Sequence, residues 1–156
     1  MLILRAALIL PMTEIGLRTF GFQRWKNLMV KFSLPVHPPP SLSAGVQLET
    51  AMRTVRAVRS VELHSLTSPN CLERSMTLWW MLRRAGVDGE LHIGARKQGA
   101  RFEAHAWVEL EGQVLNDNTE VHQHYTRFDA PIAAAETVSR AARVADSTPA
   151  GKAASH

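Results

Sequence analysis

The spacing of apolar residues changes from helical to alternating near residue 90, and this change constrains the fold more than any other feature of the chain. Before it, segments such as residues 46–63 repeat apolar side chains every three or four positions, the period of an amphipathic helix. After it, residues 90–97 and 102–117 alternate apolar and polar side chains, which is typical of half-buried strands. Helices followed by strands predict an α+β fold.

The chain before residue 70 is predicted to be helical, with one interruption. Residues 1–32 have the pattern of one or two helices. Three consecutive prolines at residues 38–40 break the pattern and favour an extended connector. The next helix carries an apolar stripe and places its arginines off it; the stripe is Leu48, Met52, Val55 and Val58.

A third helix, from about residue 70 to 85, is apolar over most of its surface and is therefore predicted to be buried. Asn70 is a suitable N-cap, and Glu73 follows at the spacing of a capping box. Gly86 is placed to end the helix in the left-handed conformation. Beyond it, the sequence "EGQ" at 111–113 predicts a tight turn between two antiparallel strands.

These patterns divide the chain into three parts. Residues 1–45 are predicted to be an N-terminal helical segment with a proline-rich connector, and residues 46–130 the α+β core. Residues 131–156 are predicted to be an alanine-rich helix followed by a frayed tail.

Composition excludes several classes of protein. The single cysteine cannot form an internal disulfide, which favours a reducing, cytoplasmic location. The apolar start "MLILRAALILPM" is too short for a bilayer and lacks the features of a signal peptide, so membrane association is not expected. Residues 1–60 carry eight basic and two acidic side chains, but no long block of like charge and no nucleic-acid motif. No nucleic-acid partner is predicted.

Three residues have the types and positions of a nucleophilic site. Cys71 opens the buried helix, where the helix dipole favours a thiolate over a thiol. His105 lies on a strand, on the side opposite its apolar residues, and Asp117 lies just past the turn on the adjacent strand. A nucleophile, a base and a group that orients the base form a Cys-His-Asp triad. Such a triad would carry out acyl transfer through a thioester.

Other candidates have weaker patterns. The backbone N–H of Cys71 is one expected oxyanion donor, and Trp107 shares the alternation of His105, so it is a candidate for the substrate groove. Glu109 shares that alternation too, and is equally well explained as solvated surface. The sequence "HQH" at 122–124 is a weak metal motif. No metal and no cofactor are predicted.

The motifs around the triad resemble those of the transglutaminase-like cysteine peptidases of lasso-peptide biosynthesis. The resemblance covers roughly residues 46–128 and is carried by "CLERSMTLWWMLRRAGVDGELHIGARK" followed by "FEAHAWVELEGQVLND". The matching positions are Cys71, Leu72, Arg74, Ser75, Leu82, Arg83, Arg84, Gly86, Ile93, Gly94, His105, Ala106, Trp107, Val108, Glu109 and Asp117.

This resemblance implies a fold, an activity and partners. The implied fold is a transglutaminase-like or papain-like core, in which a buried catalytic helix packs on an antiparallel sheet. The implied activity is removal of the leader from a ribosomally made lasso-peptide precursor, with Cys71, His105 and Asp117 as the catalytic residues. The implied partners are the precursor's leader, a separate winged-helix recognition protein, and a lasso cyclase similar to asparagine synthetase. The peptidase is expected to stand alone, without a fused recognition domain.

Two other functions fit the same residues. A thioester can be resolved by an amine as well as by water, so transglutaminase-like acyl transfer or deamidation is the first alternative. The second is a non-catalytic binding module in which Cys71 is a structural, unreactive residue.

Overall fold

A computed structural model of the chain describes residues 1–33, 42–65, 67–98 and 101–127. Its elements in chain order are α1 (Leu2–Ser33), α2 (Ala44–Leu63), α3 (Cys71–Arg84), β1 (Glu90–Gln98), β2 (Arg101–Leu110), β3 (Gln113–Val114), α4 (Val121–His124) and β4 (Thr126–Arg127). The predicted α+β fold is confirmed. Residues 34–41, which include the three consecutive prolines, and the predicted C-terminal helix and tail lie outside the described residues.

The four strands form one antiparallel sheet in the order β3-β2-β1-β4. β1 and β2 pair along their whole length, from Glu90 opposite Glu109 to Gln98 opposite Arg101. The predicted turn after β2 is present, and its two central residues, Glu111 and Gly112, have φ values of 50° and 79°. Positive φ at both positions matches the twist of a two-residue hairpin.

One face of the sheet packs on α3, and this contact forms the core. Side chains alternate along a strand, so Val108 and Leu110 of β2 share a face with Leu91 of β1. These side chains belong to a buried cluster that also includes the α3 residues Met76 and Leu82. The opposite face of β2 carries His105, as predicted. α3 begins at Cys71 and is followed by Gly86 at φ 78°, close to the predicted ends.

The predicted apolar stripe of α2 is partly wrong. Leu48 and Met52 are exposed, whereas the buried residues of this helix are Ala51, Thr54, Ala57 and Val58. α2 packs against both α1 and α3. Because small side chains let helices approach closely, they occupy the contact here and the larger apolar residues lie beside it.

α1 contains a bend that places its second half against its first. Gly21 interrupts the helix with φ 74° and ψ 168°. A Cβ atom built on Gly16 would lie 2.2 Å from the Trp25 ring. Residues nine apart in a straight helix are separated by about 13.5 Å, so this contact requires the bend. Among the described residues, no helix has the length and apolar character needed to cross a membrane.

Candidate active site

Cys71 is the first residue of α3, and the predicted capping box holds the start of that helix. The Asn70 side chain accepts from the Glu73 backbone N–H at 3.0 Å, and the Glu73 carboxylate accepts from the Asn70 N–H at 2.8 Å. Backbone N–H groups in the first helical turn have no partner within the helix, so the Cys71 N–H is available to an oxyanion. The Cys71 side chain is half-buried.

His105 and Asp117 are hydrogen-bonded to each other. The bond joins Nε2 of His105 to Oδ2 of Asp117. The other oxygen of Asp117 accepts from the Asn118 backbone N–H at 2.7 Å, which fixes the carboxylate. The two side chains are 18% and 28% exposed, so a substrate can reach them. With Nε2 engaged, Nδ1 of His105 is the ring nitrogen that can exchange a proton with a thiol.

Two aromatic rings hold the His105 imidazole from its own side of the sheet. Tyr125 stacks on it with the ring centroids 4.9 Å apart, and Trp107 lies 6.3 Å away in a nearly parallel orientation. Gly94 pairs with His105 across β1 and β2. A Cβ on Gly94 would lie 3.1 Å from the Trp107 ring and 3.0 Å from the Thr126 carbonyl, so glycine permits both to approach.

Trp107 and Glu109 differ from their predicted roles. Trp107 is fully buried, so it supports His105 from within the protein and has no surface with which to line a groove. Glu109 is not solvated surface: it is 2% exposed. Its carboxylate accepts from Trp107 Nε1 at 2.5 Å and from Arg127 Nη2 at 2.7 Å. These bonds compensate for burying the charge.

His92 completes this buried cluster. Its ring stacks on Trp107, and Nε2 lies 3.3 Å and 3.5 Å from carboxylate oxygens of Glu90 and Glu109 without hydrogen-bonding geometry. Burial lowers the pKa of His92 below its usual value, and the positive charge of Arg127 acts in the same direction, while the two carboxylates oppose them.

Side chains from two segments tie α3 to β2 beside the three predicted site residues. Ser75 donates from Oγ to the Ala106 carbonyl at 2.9 Å and accepts from Asn116 Nδ2 at 2.9 Å. The Asn116 Oδ1 accepts from the Val108 backbone N–H at 2.8 Å. The Asn116 side chain therefore lies in the junction between helix and sheet, whereas that of Asp117 bonds to His105.

Three further residues lie at the candidate site, although their sequence positions gave no prediction of that role: Tyr125, Ser75 and Asn116. Tyr125 also donates to Glu103 at 3.1 Å, and Glu103 binds Arg96 at 2.7 Å. Ser75 and Asn116 lie within the quoted motifs, at one helical turn from Cys71 and next to Asp117. Those spacings were the available signal. Tyr125 had none, because its contact with His105 depends on β4 pairing with β1.

Two of the three predicted site residues, His105 and Asp117, are joined by a hydrogen bond. No hydrogen bond joins the Cys71 thiol to His105 in the part of the chain that the structure describes. Catalytic hydrogen bonds are often long in ligand-free enzymes and tighten on substrate binding. Arg74, one turn into α3, pairs with Glu62 of α2 at 2.6 Å. Within the described ranges, no three His, Cys, Asp or Glu side chains cluster in a way that would hold a metal ion.

Comparison with known proteins places the chain in a family. No curated protein and no solved structure matches it. A family profile described as the transglutaminase-like superfamily matches residues 16–130, well over half of the chain. That superfamily includes cysteine peptidases and acyltransferases. The match begins within α1 and contains Cys71, His105 and Asp117. The chain belongs to the transglutaminase-like superfamily.

Proposed function

We propose that this protein is a cysteine peptidase that removes the leader from a ribosomally synthesised lasso-peptide precursor. The observation that carries the proposal is the His105–Asp117 hydrogen bond, on a strand that is itself bonded to the helix headed by Cys71. Membership of the transglutaminase-like superfamily supports a thioester route. The lasso-peptide assignment rests on the resemblance of the motifs, and the setting is the reducing cytoplasm.

In this mechanism, Cys71 attacks the carbonyl carbon of the scissile bond. His105 takes the thiol proton on Nδ1 and passes it to the leaving amine, while Asp117 accepts the Nε2 hydrogen bond and stabilises the imidazolium. The Cys71 backbone N–H donates to the oxyanion. Water then attacks the thioester with His105 as the base, which releases the acid and restores the thiol.

The proposed partners are the precursor's leader, a separate winged-helix recognition protein and a lasso cyclase similar to asparagine synthetase. Two surfaces on the helices support a partner-binding role. α1 exposes several large apolar side chains; they include Leu4, Leu8, Met12, Ile15 and Phe32. α2 exposes Arg53 and Arg56. Arg53→Glu with Arg56→Glu is expected to weaken recognition-protein binding, and unchanged binding would contradict a docking role for this face.

The experiment is mass spectrometry of a precursor peptide incubated with this protein and the recognition protein. The precursor tested is the peptide encoded by a short reading frame next to the gene for a lasso cyclase. Wild type is compared with Cys71→Ala, His105→Ala and, as a control, His64→Ala, which removes an exposed histidine at the end of α2. We expect cleavage at one bond by wild type and by the control, and none by Cys71→Ala.

The other outcomes separate the alternatives. Addition of an amine or loss of an amide from a glutamine, without cleavage, would favour the acyltransferase or deamidase. No reaction by any variant, together with a native Cys71 that iodoacetamide does not alkylate, would contradict the enzyme and favour the binding module. If wild type does not cleave the peptide but its Cys71 is alkylated rapidly, the lasso precursor is not the substrate, and the hypothesis of a cysteine enzyme stands.

A further inference from the structure

Ser75 and Asn116 join the three segments that carry the proposed triad. Ser75 lies one helical turn after Cys71 and on the same side of α3. The carbonyl to which it donates belongs to Ala106, the residue after His105. Asn116, which donates to Ser75, immediately precedes Asp117. Each member of the triad is thus within one turn or one residue of the same two hydrogen bonds.

We propose that Ser75 and Asn116 are positioning residues that hold Cys71, His105 and Asp117 in the geometry needed for proton transfer. This inference rests on the proposed function, because it gives these two residues a part in the same site. Neither side chain contacts the reacting atoms. Both act through the helix and strands that they join.

The bonding capacity of the two side chains is well used at this junction. The Ser75 hydroxyl is fully buried. It donates its single proton to the Ala106 carbonyl and accepts a hydrogen bond from Asn116 Nδ2. The Asn116 amide oxygen accepts from the Val108 backbone N–H, and its amide nitrogen donates to Ser75. A buried donor or acceptor that loses its partner costs about 1–3 kcal/mol. The junction therefore resists sliding of α3 along β2.

These side chains also bond to backbone groups of β2 beyond the point where its pairing with β3 ends. β3 pairs only with Glu109 and Leu110 of β2. Beyond that pair, the Val108 carbonyl accepts from the Leu115 N–H, while the Val108 N–H and the Ala106 carbonyl are bound by Asn116 and Ser75. The helix start takes the place of a longer strand at this edge. That arrangement brings a thiol at a helix N-terminus to the strand that carries the imidazole.

The test measures alkylation of Cys71 by iodoacetamide, which needs neither substrate nor partner. An ordinary thiol, with a pKa of about 8.5, is almost fully protonated at pH 6 and reacts slowly there. A thiolate held beside an imidazolium reacts at that pH. The second-order rate is measured at pH 6 and at pH 9.5 for wild type, Ser75→Ala, Asn116→Ala and His105→Ala. His105→Ala defines the rate without the imidazole.

Ser33→Ala is the matched control. Ser33 is a fully buried serine that donates to the Val30 carbonyl at 2.8 Å and accepts from Arg83 at 3.1 Å. It therefore makes the same kind of paired bonds as Ser75, but with the opposite end of α3. Far-UV circular dichroism and a thermal midpoint for every variant identify the temperature range in which each is folded. Asn116→Ala, at a half-buried position, is the second route if Ser75→Ala does not fold.

We expect Ser75→Ala and Asn116→Ala each to lower the pH 6 rate by about tenfold, which corresponds to about 1.4 kcal/mol, and to change the pH 9.5 rate by less than about twofold. The double variant should resemble either single one, because the two side chains act as a unit. Neither substitution removes an atom of the Asn70–Glu73 capping box or of the Arg74–Glu62 ion pair. Ser33→Ala should lower the thermal midpoint but leave the pH 6 rate unchanged.

Two results would overturn the proposal, and they can be told apart. If wild type reacts rapidly at pH 6 and folded Ser75→Ala and Asn116→Ala react equally fast, the two residues do not position the triad, while the proposed function stands. If folded wild type reacts at pH 6 no faster than the chain unfolded in urea, the thiol is not activated. The proposed function then fails, and the positioning role fails with it.

Discussion

At the scale of single residues, His92 is a buried histidine whose neutral form the folded state favours. Its folded-state pKa is lowered by burial, so the unfolded chain binds the proton more tightly than the folded protein. The stability that comes from neutral His92 is therefore fully present above about pH 6.5, the unfolded value, and is lost as the pH falls below it. His92→Phe keeps a ring against Trp107 and removes the titration.

We expect wild type to lose more stability than His92→Phe between pH 7.5 and pH 5. Urea unfolding midpoints at several pH values measure this difference. The control is His64→Phe, which changes an exposed histidine of the α2 end that bonds to the Ser60 carbonyl, and it should retain the wild-type slope. Parallel curves for wild type and His92→Phe would show that His92 does not contribute to the acid sensitivity of the fold.

Tyr125 supplies a second prediction at this scale. Partial burial and the hydrogen bond to Glu103 raise the pKa of Tyr125 above its usual value, so the phenol stays protonated and donates. Tyr125→Phe keeps the ring on His105 and should leave Cys71 alkylation at pH 6 near wild type. Tyr125→Ala removes a stacked pair worth about 0.5–1.5 kcal/mol and should slow alkylation by about two- to tenfold. Equal rates for the two variants would mean that the ring does not hold the imidazole.

At the scale of elements, a capping box stabilises the start of α3, whereas the start of α2 has no side-chain cap. Asn70→Ala should lower the free energy of unfolding by about 1 kcal/mol, because the Glu73 N–H loses its acceptor. Ser43, at the N-cap of α2, makes no side-chain cap bond, so Ser43→Ala should cost less than about 0.5 kcal/mol. Urea titrations compared at equal m-values test both. A cost for Ser43→Ala equal to that for Asn70→Ala would contradict this assignment.

Local sequence patterns predicted the elements that local interactions define. The Asn70–Glu73 spacing located the helix start, and the alternation around His105 predicted both the strand and the face of it on which His105 lies. Patterns failed where distant packing decides. Small residues, and not Leu48 or Met52, form the buried side of α2. The pairing of β4 with β1 could not be predicted either, because a two-residue strand is too short to show an alternation of apolar and polar residues.

The candidate site divides in the same way. Cys71, His105 and Asp117 could be predicted as a site because their residue types and spacings fit one chemistry, and the structure joins two of them, His105 and Asp117, by a hydrogen bond. The burial of Glu109 could not be predicted, since a glutamate on a strand is usually solvated. The hydrogen bonds from Trp107 and Arg127 help to compensate for burying its carboxylate. Side-chain bonds such as those of Ser75 join segments 31 to 41 residues apart, and no local pattern encodes them.

At the scale of the whole molecule, α1 and the sheet belong to one core. The buried cluster that contains Val108 of β2 also contains Ala6, Trp25 and Met29 of α1. Residues 1–45 were predicted to be an N-terminal helical segment with a proline-rich connector. Several buried side chains of α1 therefore pack into one cluster with those of α3 and the sheet. A single core predicts one cooperative unfolding transition, in which loss of α1 packing unfolds the region around Cys71 as well.

Gly16→Ala tests this cooperativity. The added methyl would overlap the Trp25 ring, which must move or strain, so we expect a loss of about 1–3 kcal/mol or more. Gly45→Ala, in α2 with no atom within 4 Å of the new methyl, should be neutral or stabilising by up to about 1 kcal/mol. Unfolding in urea is followed by far-UV circular dichroism and by alkylation of Cys71. For Gly16→Ala the two transitions should coincide at a lower urea concentration than in wild type. If the circular dichroism signal fell first and Cys71 kept its native rate, α1 would be a separately unfolding unit and the proposed triad would not depend on it.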